Sequence, residues 1–404
     1  MYKIYIRDQN LNRVGEIDDY NYLDIIPRFN GVGSFALELP TDCKETKQLL
    51  NQRAGIIVKR DGKTLFSGDI TSRNRKWNKD QDKMTFGGVD DNRKLLNLAY
   101  PVPSGNFSLQ DYDIRMGAAE TVMKEYIEAN LGVNALAERR VQNLIIAADQ
   151  GLGNVVTGRA RFHPLIEMFS SLAISGGDLG FRIVQIGSNL EFQVYQPTDL
   201  TKQAFFSPLL GNLLEFEYSN KDPETNFAIV GGGGEGKDRI LLQKSDNASI
   251  TKYGRIETFI DQRNTSEISE LQQSMDEELA SKGEQNSLSI TPIDTDSLSF
   301  GRDYNLGDKV SIILTIPNEV VEILEVNYFI SMFQASLYEE RVRKIQNKLD
   351  IIQDVVREIK IRITPEGVRI SPTIGTPDSI SRNSIGIFDK MKKIIRRVSN
   401  LERR

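Results

Sequence analysis

Gly55–Ile70, GIIVKRDGKTLFSGDI, is two apolar runs folded back on each other at Asp61-Gly62. An Asp-Gly pair between such runs is a strong hairpin signal, because both central turn residues need positive φ. Upstream, MYKIYIRD (1–8) alternates, and GSFALELP (33–40) puts Phe35, Leu37 and Leu39 on one face. Downstream, MTFGGVDD (84–91) reads as another strand and DNRKLLNL (91–98) as a short helix. Pro101 and Pro103 then mark a boundary, so residues 1–100 form a β-rich unit.

Beyond that boundary the pattern is mixed. Ala119, Val122, Met123, Tyr126 and Ile127 recur at helical spacing and stop at Gly132. A second helix runs from Pro164 to about Ser175 and ends at Gly176-Gly177. The strands GFRIVQI and LEFQVYQP follow, joined at Gly187-Ser188-Asn189, and LLEFEYS, NFAIVG and ILLQKS come next. A helix with Ile268, Leu271, Met275 and Leu279 on one stripe carries Glu267, Glu270, Asp276, Glu277 and Glu278 on a face expected to be solvated. NLGDKVSIILTI and REIKIRITPEGVRISP return to strand character, and Glu319–Lys348 between them reads as helix-like.

Ile380, Ser384, Ile387, Met391, Ile394, Val398 and Leu401 step alternately by 4 and 3, which is a coiled-coil seam. Isoleucine-rich seams lean towards three or more strands, but about three heptads are marginal alone. A helix packed on its own chain is the plain alternative. A basic face of Lys390, Lys392, Lys393, Arg396 and Arg397 lying on an anionic membrane is the third reading.

Composition excludes several chemistries. The 404 residues are enough for two or three domains, with 39% apolar and 26% charged content typical of globular chains. A net charge of −5 argues against a dedicated nucleic-acid binder. Cys43 is the one cysteine and His163 the one histidine, so an intrachain disulfide and a His/Cys zinc site in a monomer are both excluded. His163 precedes Pro164 at a helix start, where a capping or packing role is expected. MYKIYIRDQN is a strand rather than a signal peptide, and no apolar run reaches membrane-spanning length, so a chain soluble when made is expected.

Ile229–Arg239, IVGGGGEGKDR, matches G-x-x-x-x-G-K from Gly231 to Lys237. A phosphate loop needs Ser or Thr next, for magnesium, and a helix after it. Asp238 and the strand-like RILLQKS supply neither. Gly231, Gly232, Gly233 and Gly234 are therefore expected to form a flexible connection between two strands, or a hinge at a domain crossover. The acid pairs Asp18-Asp19, Asp90-Asp91 and Asp294/Asp296 sit at strand or turn edges, where aspartate serves turn chemistry. No catalytic constellation, metal site or cofactor site is expected.

The order of segments carries a resemblance. RDQNLNRVGEIDDY, RFNGVGSFALELP, GIIVKRDGKTLFSGDITSR and GVDDNRKLLNLAYPVPSG resemble the opening of the siphophage tail-tip hub, or tail-associated protein, family of phages infecting Gram-positive hosts. TGRARFHPLIEMFSSLA, LEFQVYQPTDLT, LGNLLEFEYSNKDPETNFAIVGGGGEG, DYNLGDKVSI and DVVREIKIRITPEGVRISPTIGT continue it in order, over about residues 1–376. The resemblance implies a mainly β chain with α+β parts and two tail-tube-like β-barrel domains. These would be residues 1–100, and residues 201–234 with 286–376. An outer α+β domain would take 101–200 and 235–285, with the coiled-coil helix at 377–404. It further implies a homotrimer located in the virion tail tip and assembled in host cytoplasm. The implied neighbours are the distal tail protein, the tape-measure protein and receptor-binding or tail-fibre proteins. DNA would only pass through the lumen, and contact with the host envelope would be transient. About thirty residues near 317–350 depart from the family pattern, and peptidoglycan-degrading modules of larger relatives do not transfer to this sequence. The rival readings are a cell-wall hydrolase using outer-domain acids and a host-glycan binding module.

Overall fold

The computed structural model describes residues 2–263, 265–292, 298–313 and 351–375. The seam Ile380 to Leu401, the segment 317–350 and Asp294 with Asp296 lie outside the described residues. The protein is mainly β, with few helices.

The N-terminal strands are β1 (Tyr2–Arg7), β2 (Arg13–Ile17), β3 (Tyr22–Ile26) and β4 (Ser34–Pro40). A short helix α1 (Lys44–Leu49) leads to β5 (Gly55–Arg60), β6 (Lys63–Trp77) and β7 (Asp82–Asp90). They line up antiparallel as β3-β4-β7-β6-β5-β1-β2. Asp61 and Gly62 have φ of 49° and 82°, the twist-matched turn that the Asp-Gly pair encodes. Phe35, Leu37 and Leu39 are buried and their neighbours half-buried, as a period of two requires.

An outer unit follows β8 (Leu98–Ala99). It contains β9 (Asp113–Ala118), α2 (Ala119–Asn130), β10 (Leu144–Ile146), β11 (Val155–Ala160), β12 (His163–Pro164), α3 (Leu165–Ser175), β13 (Gly180–Ile186) and β14 (Asn189–Tyr195). Its core packs α2 and α3 against Phe181, Ile183, Leu190 and Phe192. Glu120 and Lys124 are buried as well, bonded to each other at 2.5 Å. The chain segment around Ala148–Leu152 wraps over that side of α2, and Glu120 also accepts from the Gln150 and Leu152 amides.

The chain then returns to the large sheet through β15 (Phe205–Phe206) and β16 (Leu213–Lys221). It leaves again for a small unit of β17 (Phe227–Gly231), β18 (Leu241–Ser245), α4 (Asn247–Tyr253), β19 (Glu257–Asp261) and α5 (Ile268–Lys282). The last strands are β20 (Gln285–Pro292), β21 (Lys309–Ile313), β22 (Ile351–Thr364) and β23 (Gly367–Gly375). β16-β20-β23-β22 joins β3 of the first array, giving one 13-stranded sheet.

The seam pairs Ile361 with Ile25 and Ile363 with Leu23. All four side chains are at most 2% exposed and belong to one core with residues of both arrays. Burying each stabilises by roughly 1.5–3 kcal/mol, so the seam gains on the order of 10 kcal/mol before chain entropy. Arg28 adds an ion pair to Glu358 at 2.6 Å across the same line.

Candidate functional site: a buried joint and a packed glycine turn

β1 alternates Ile4 and Ile6 into the core, so Tyr5 and Arg7 take the other face. Arg7 is nevertheless fully buried, because β13 of the outer unit covers it. Its Nη1 donates to Asp91 Oδ2 at 2.8 Å and Gln185 Oε1 at 2.9 Å. Its Nη2 donates to Asp69 Oδ1 at 2.7 Å and Asp91 Oδ1 at 2.6 Å. Gly55 stands opposite in the register, where a Cβ would come within 2.6 Å of Arg7 Nε. A glycine there lets the guanidinium lie flat on the strand.

Asp91 also accepts from Ser67 Oγ at 2.6 Å, and Ser67 accepts from the Gln185 amide at 3.0 Å. The Gln185 carboxamide donates to Leu11 and Gly187 carbonyls. A second tier repeats the theme. Asn92 Oδ1 accepts from the Ile183 amide, and Asn30 bonds both the Leu179 carbonyl and the Phe181 amide. Side chains of β6, of the β3–β4 connection and of the Asp91–Leu96 turn thus satisfy the backbone of β13, fixing the outer unit on the first array.

The electrostatics follow from that enclosure. Burial works against charge on Arg7, but Asp91 and Asp69 more than compensate and raise its pKa. Burial also opposes ionisation of Asp69, yet the charges of Arg7 and Lys94 hold its carboxyl below the usual range. Burial, reinforced by the neighbouring Asp91 charge and only partly offset by the Gly33 and Asn92 amides, pushes Asp90 up to about 8. The Arg28 charge favours ionisation of Asp90 but does not prevail. Asp90-Asp91 is therefore a structural pair: Asp90 caps the turn of Asp91–Leu96, and Asp91 holds the arginine. Asp18 and Asp19 are exposed in the connection from β2 to β3. His163 pairs with Ala99 in β12, and Pro164 takes the cap position of α3 instead of its first turn. Among the described residues no group of three or more His, Cys, Asp or Glu could hold a metal ion.

The glycine run lies elsewhere than the crossover. The chain has already left the large sheet at Lys221, and β17 pairs with β18 and β19. Gly231, Gly232 and Gly233 are buried. Gly232 donates to the Ile240 carbonyl at 2.8 Å and Gly233 to the Thr265 carbonyl at 2.7 Å. A Cβ on Gly232 would meet Leu271 of α5 at 2.7 Å, and Gly234 has φ of 97°. These glycines connect two paired strands, β17 and β18, and form a packed turn inside the small unit, needed for close approach. A 3-10 turn at Gly236–Asp238 leads into β18, which follows as the sequence predicts, so among the described residues no α-helix starts at the loop. Glu270 corrects the solvated-face reading of α5, since it turns inward to pair with Arg159 of β11. Gln273 Oε1 accepts from the Thr157 amide at 3.4 Å beside it.

Residues 3–331 match the family model described as Siphovirus ReqiPepy6 Gp37-like protein. No curated protein matches. Among solved structures, the fold is similar to a tail protein from Neisseria meningitidis MC58, with a TM-score of 0.55 and 12% identity over 94% of this chain and 97% of that one. A 43 kDa tail protein of prophage MuSo2 from Shewanella oneidensis gives 0.53 at 11% identity, covering 92% and 98%. Prophage tail protein gp18 from Listeria monocytogenes EGD-e gives 0.51 at 9%, covering 98% and 99%.

Proposed function

The chain belongs to the siphovirus ReqiPepy6 Gp37-like family and has the fold of phage tail proteins, and from this we propose that it is the hub of a tail tip. Three copies form a ring that continues and closes the tail tube. The observation that carries this reading is the single sheet in which two β arrays of one chain meet at β3 and β22. Two tube-like modules per chain and three chains supply six positions around a lumen. The outer unit, anchored on that sheet through β13, and the small unit each have a core besides that of the sheet. They suit contact with the distal tail protein and with receptor-binding or fibre proteins, while the tape-measure protein and DNA use the lumen.

The role is structural rather than catalytic, since the buried acids at the joint are spent on Arg7 and on backbone amides. The seam from Ile380 to Leu401 then strengthens the trimer as a parallel three-stranded coiled coil. Light scattering on the full chain tests the reading, with a mass of three copies expected. A concentration-independent monomer, both free and in assembled tails, refutes it.

A further inference from the structure

We propose that the ring closes by strand pairing between copies, with β16 of one copy lying against the outer half of β6 in the next. This rests on the trimeric reading above and adds the edges that make it. β16 pairs with β20 along its length, and among the described residues no strand covers its other edge. On the opposite flank, β6 outruns β5: β5 reaches only from Lys63 to Asp69, and Ser72 to Trp77 pair with β7 alone. Two long open edges on one sheet invite pairing with another chain.

Charge selects the partner. The arm formed by β6 and the start of β7 carries Arg73, Arg75, Lys76, Lys79 and Lys83 against Asp80 and Asp82. Arg75 is matched within the arm by Asp82, and Lys83 is matched by Glu38. Lys76 and Lys79 are exposed, with no ion pair among the described residues. β16 and the turn after it carry Glu215, Glu217, Asp222 and Glu224 against Lys221. Pairing β16 with β16 would oppose acids to acids, and arm with arm would oppose cations to cations. Only the mixed pairing is complementary.

Both edges also expose apolar side chains: Trp77 at 69% on one, Leu214 at 69% and Phe216 at 41% on the other. Because the edges lie on opposite flanks, the contact is head-to-tail, the kind that makes a ring when its rotation closes after three copies.

The experiment uses the full chain. Trp77 is its one tryptophan, so emission reports this edge alone. Dilution of the wild type should dissociate the trimer and shift emission to the red. The Glu215→Lys/Glu217→Lys variant should weaken assembly at least tenfold with an unchanged melting profile of the dissociated chain. Adding Lys76→Glu/Lys79→Glu in the same chain should restore it to within about threefold, since each contact then holds the reversed pair. A trimer indifferent to both sets of substitutions would overturn the edge pairing while leaving the ring intact. So would Trp77 emission that is already blue in the monomer. A wild type that never assembles would remove the ring itself.

Discussion

Asp91→Ala is the sharpest test of the joint. The Asp91 side chain is fully buried and receives both guanidinium nitrogens of Arg7, at 2.8 and 2.6 Å, together with the Ser67 hydroxyl. Removing one partner of a buried ion pair costs about 3–5 kcal/mol, because the other charge stays buried. Asp69 remains 2.7 Å from Arg7 Nη2 and offsets part of this, so the expected loss is about 3 kcal/mol, at the low end of that range. Chains of 150–250 residues lose about 2–4 °C per kcal/mol, and a larger chain sits at the lower end, giving a fall of about 6 °C. Scanning calorimetry should in addition resolve an outer-unit transition below that of the large sheet, since β13 loses its anchor.

Two companion variants separate charge from packing. Asp69→Ala should cost less, because that side chain is already 27% exposed. Replacing the whole pair, by Arg7→Met with Asp91→Leu, should recover much of the Asp91→Ala loss. An Asp91→Ala chain that melts within about 2 °C of wild type would refute the idea that this pair holds the two units together.

The remaining predictions concern pH, the glycine turn and the second joint. Asp90, held at about 8 when folded, keeps a proton that the unfolded chain releases near pH 4. Its contribution to stability is therefore full below pH 4 and lost as pH rises towards 8, and Asp90→Asn should flatten the urea midpoint between pH 5 and 8; an unchanged slope rejects the assignment. Asp69 works in the opposite sense, contributing above pH 4 and losing that contribution as pH falls through its depressed folded value. Gly232→Ala should destabilise the small unit by about 1–3 kcal/mol through overpacking against Leu271, seen as early exchange of α5 amides, and wild-type exchange would contradict the packed turn. Glu270→Gln should loosen β11 from α5, raising proteolysis between residues 261 and 271 without changing the large sheet's melt.

How much of this the sequence disclosed depends on the range of each interaction. The hairpin at Asp61-Gly62, the alternation of β4 and the apolar stripes of α2 and α3 are local, and their periods can be read directly. The joint is not local. Arg7 reads as a polar strand end, Asp91 as a turn acid and Gln185 as an ordinary strand position, and only tertiary pairing across 84 and 178 residues brings them together. The Arg28–Glu358 pair spans 330 residues and leaves no periodic trace. Gly55, a lone glycine opening an apolar strand, is the one local hint, since such glycines often mark close backbone approach. The glycine run could be read as a link between strands, but not as a packed one, because its cause, Leu271 pressing on Gly232, lies about forty residues downstream.

The placement of charge distinguishes contacts made on folding from those made on assembly. At the joint the ions are desolvated once, within one chain, and every oxygen of Asp91 has a donor. At the open edges the acids of β16 and the lysines of the β6 arm stay in water until copies meet, so their attraction is weak and screened. Salt should therefore act on one and spare the other. Raising ionic strength from 0.1 to 1 M shortens the screening length from about 10 to 3 Å, which should weaken the trimer while leaving the Asp91-dependent melting transition in place. If instead salt lowered that transition and left assembly untouched, the joint would have to be solvated and the edge contact dry, reversing both assignments.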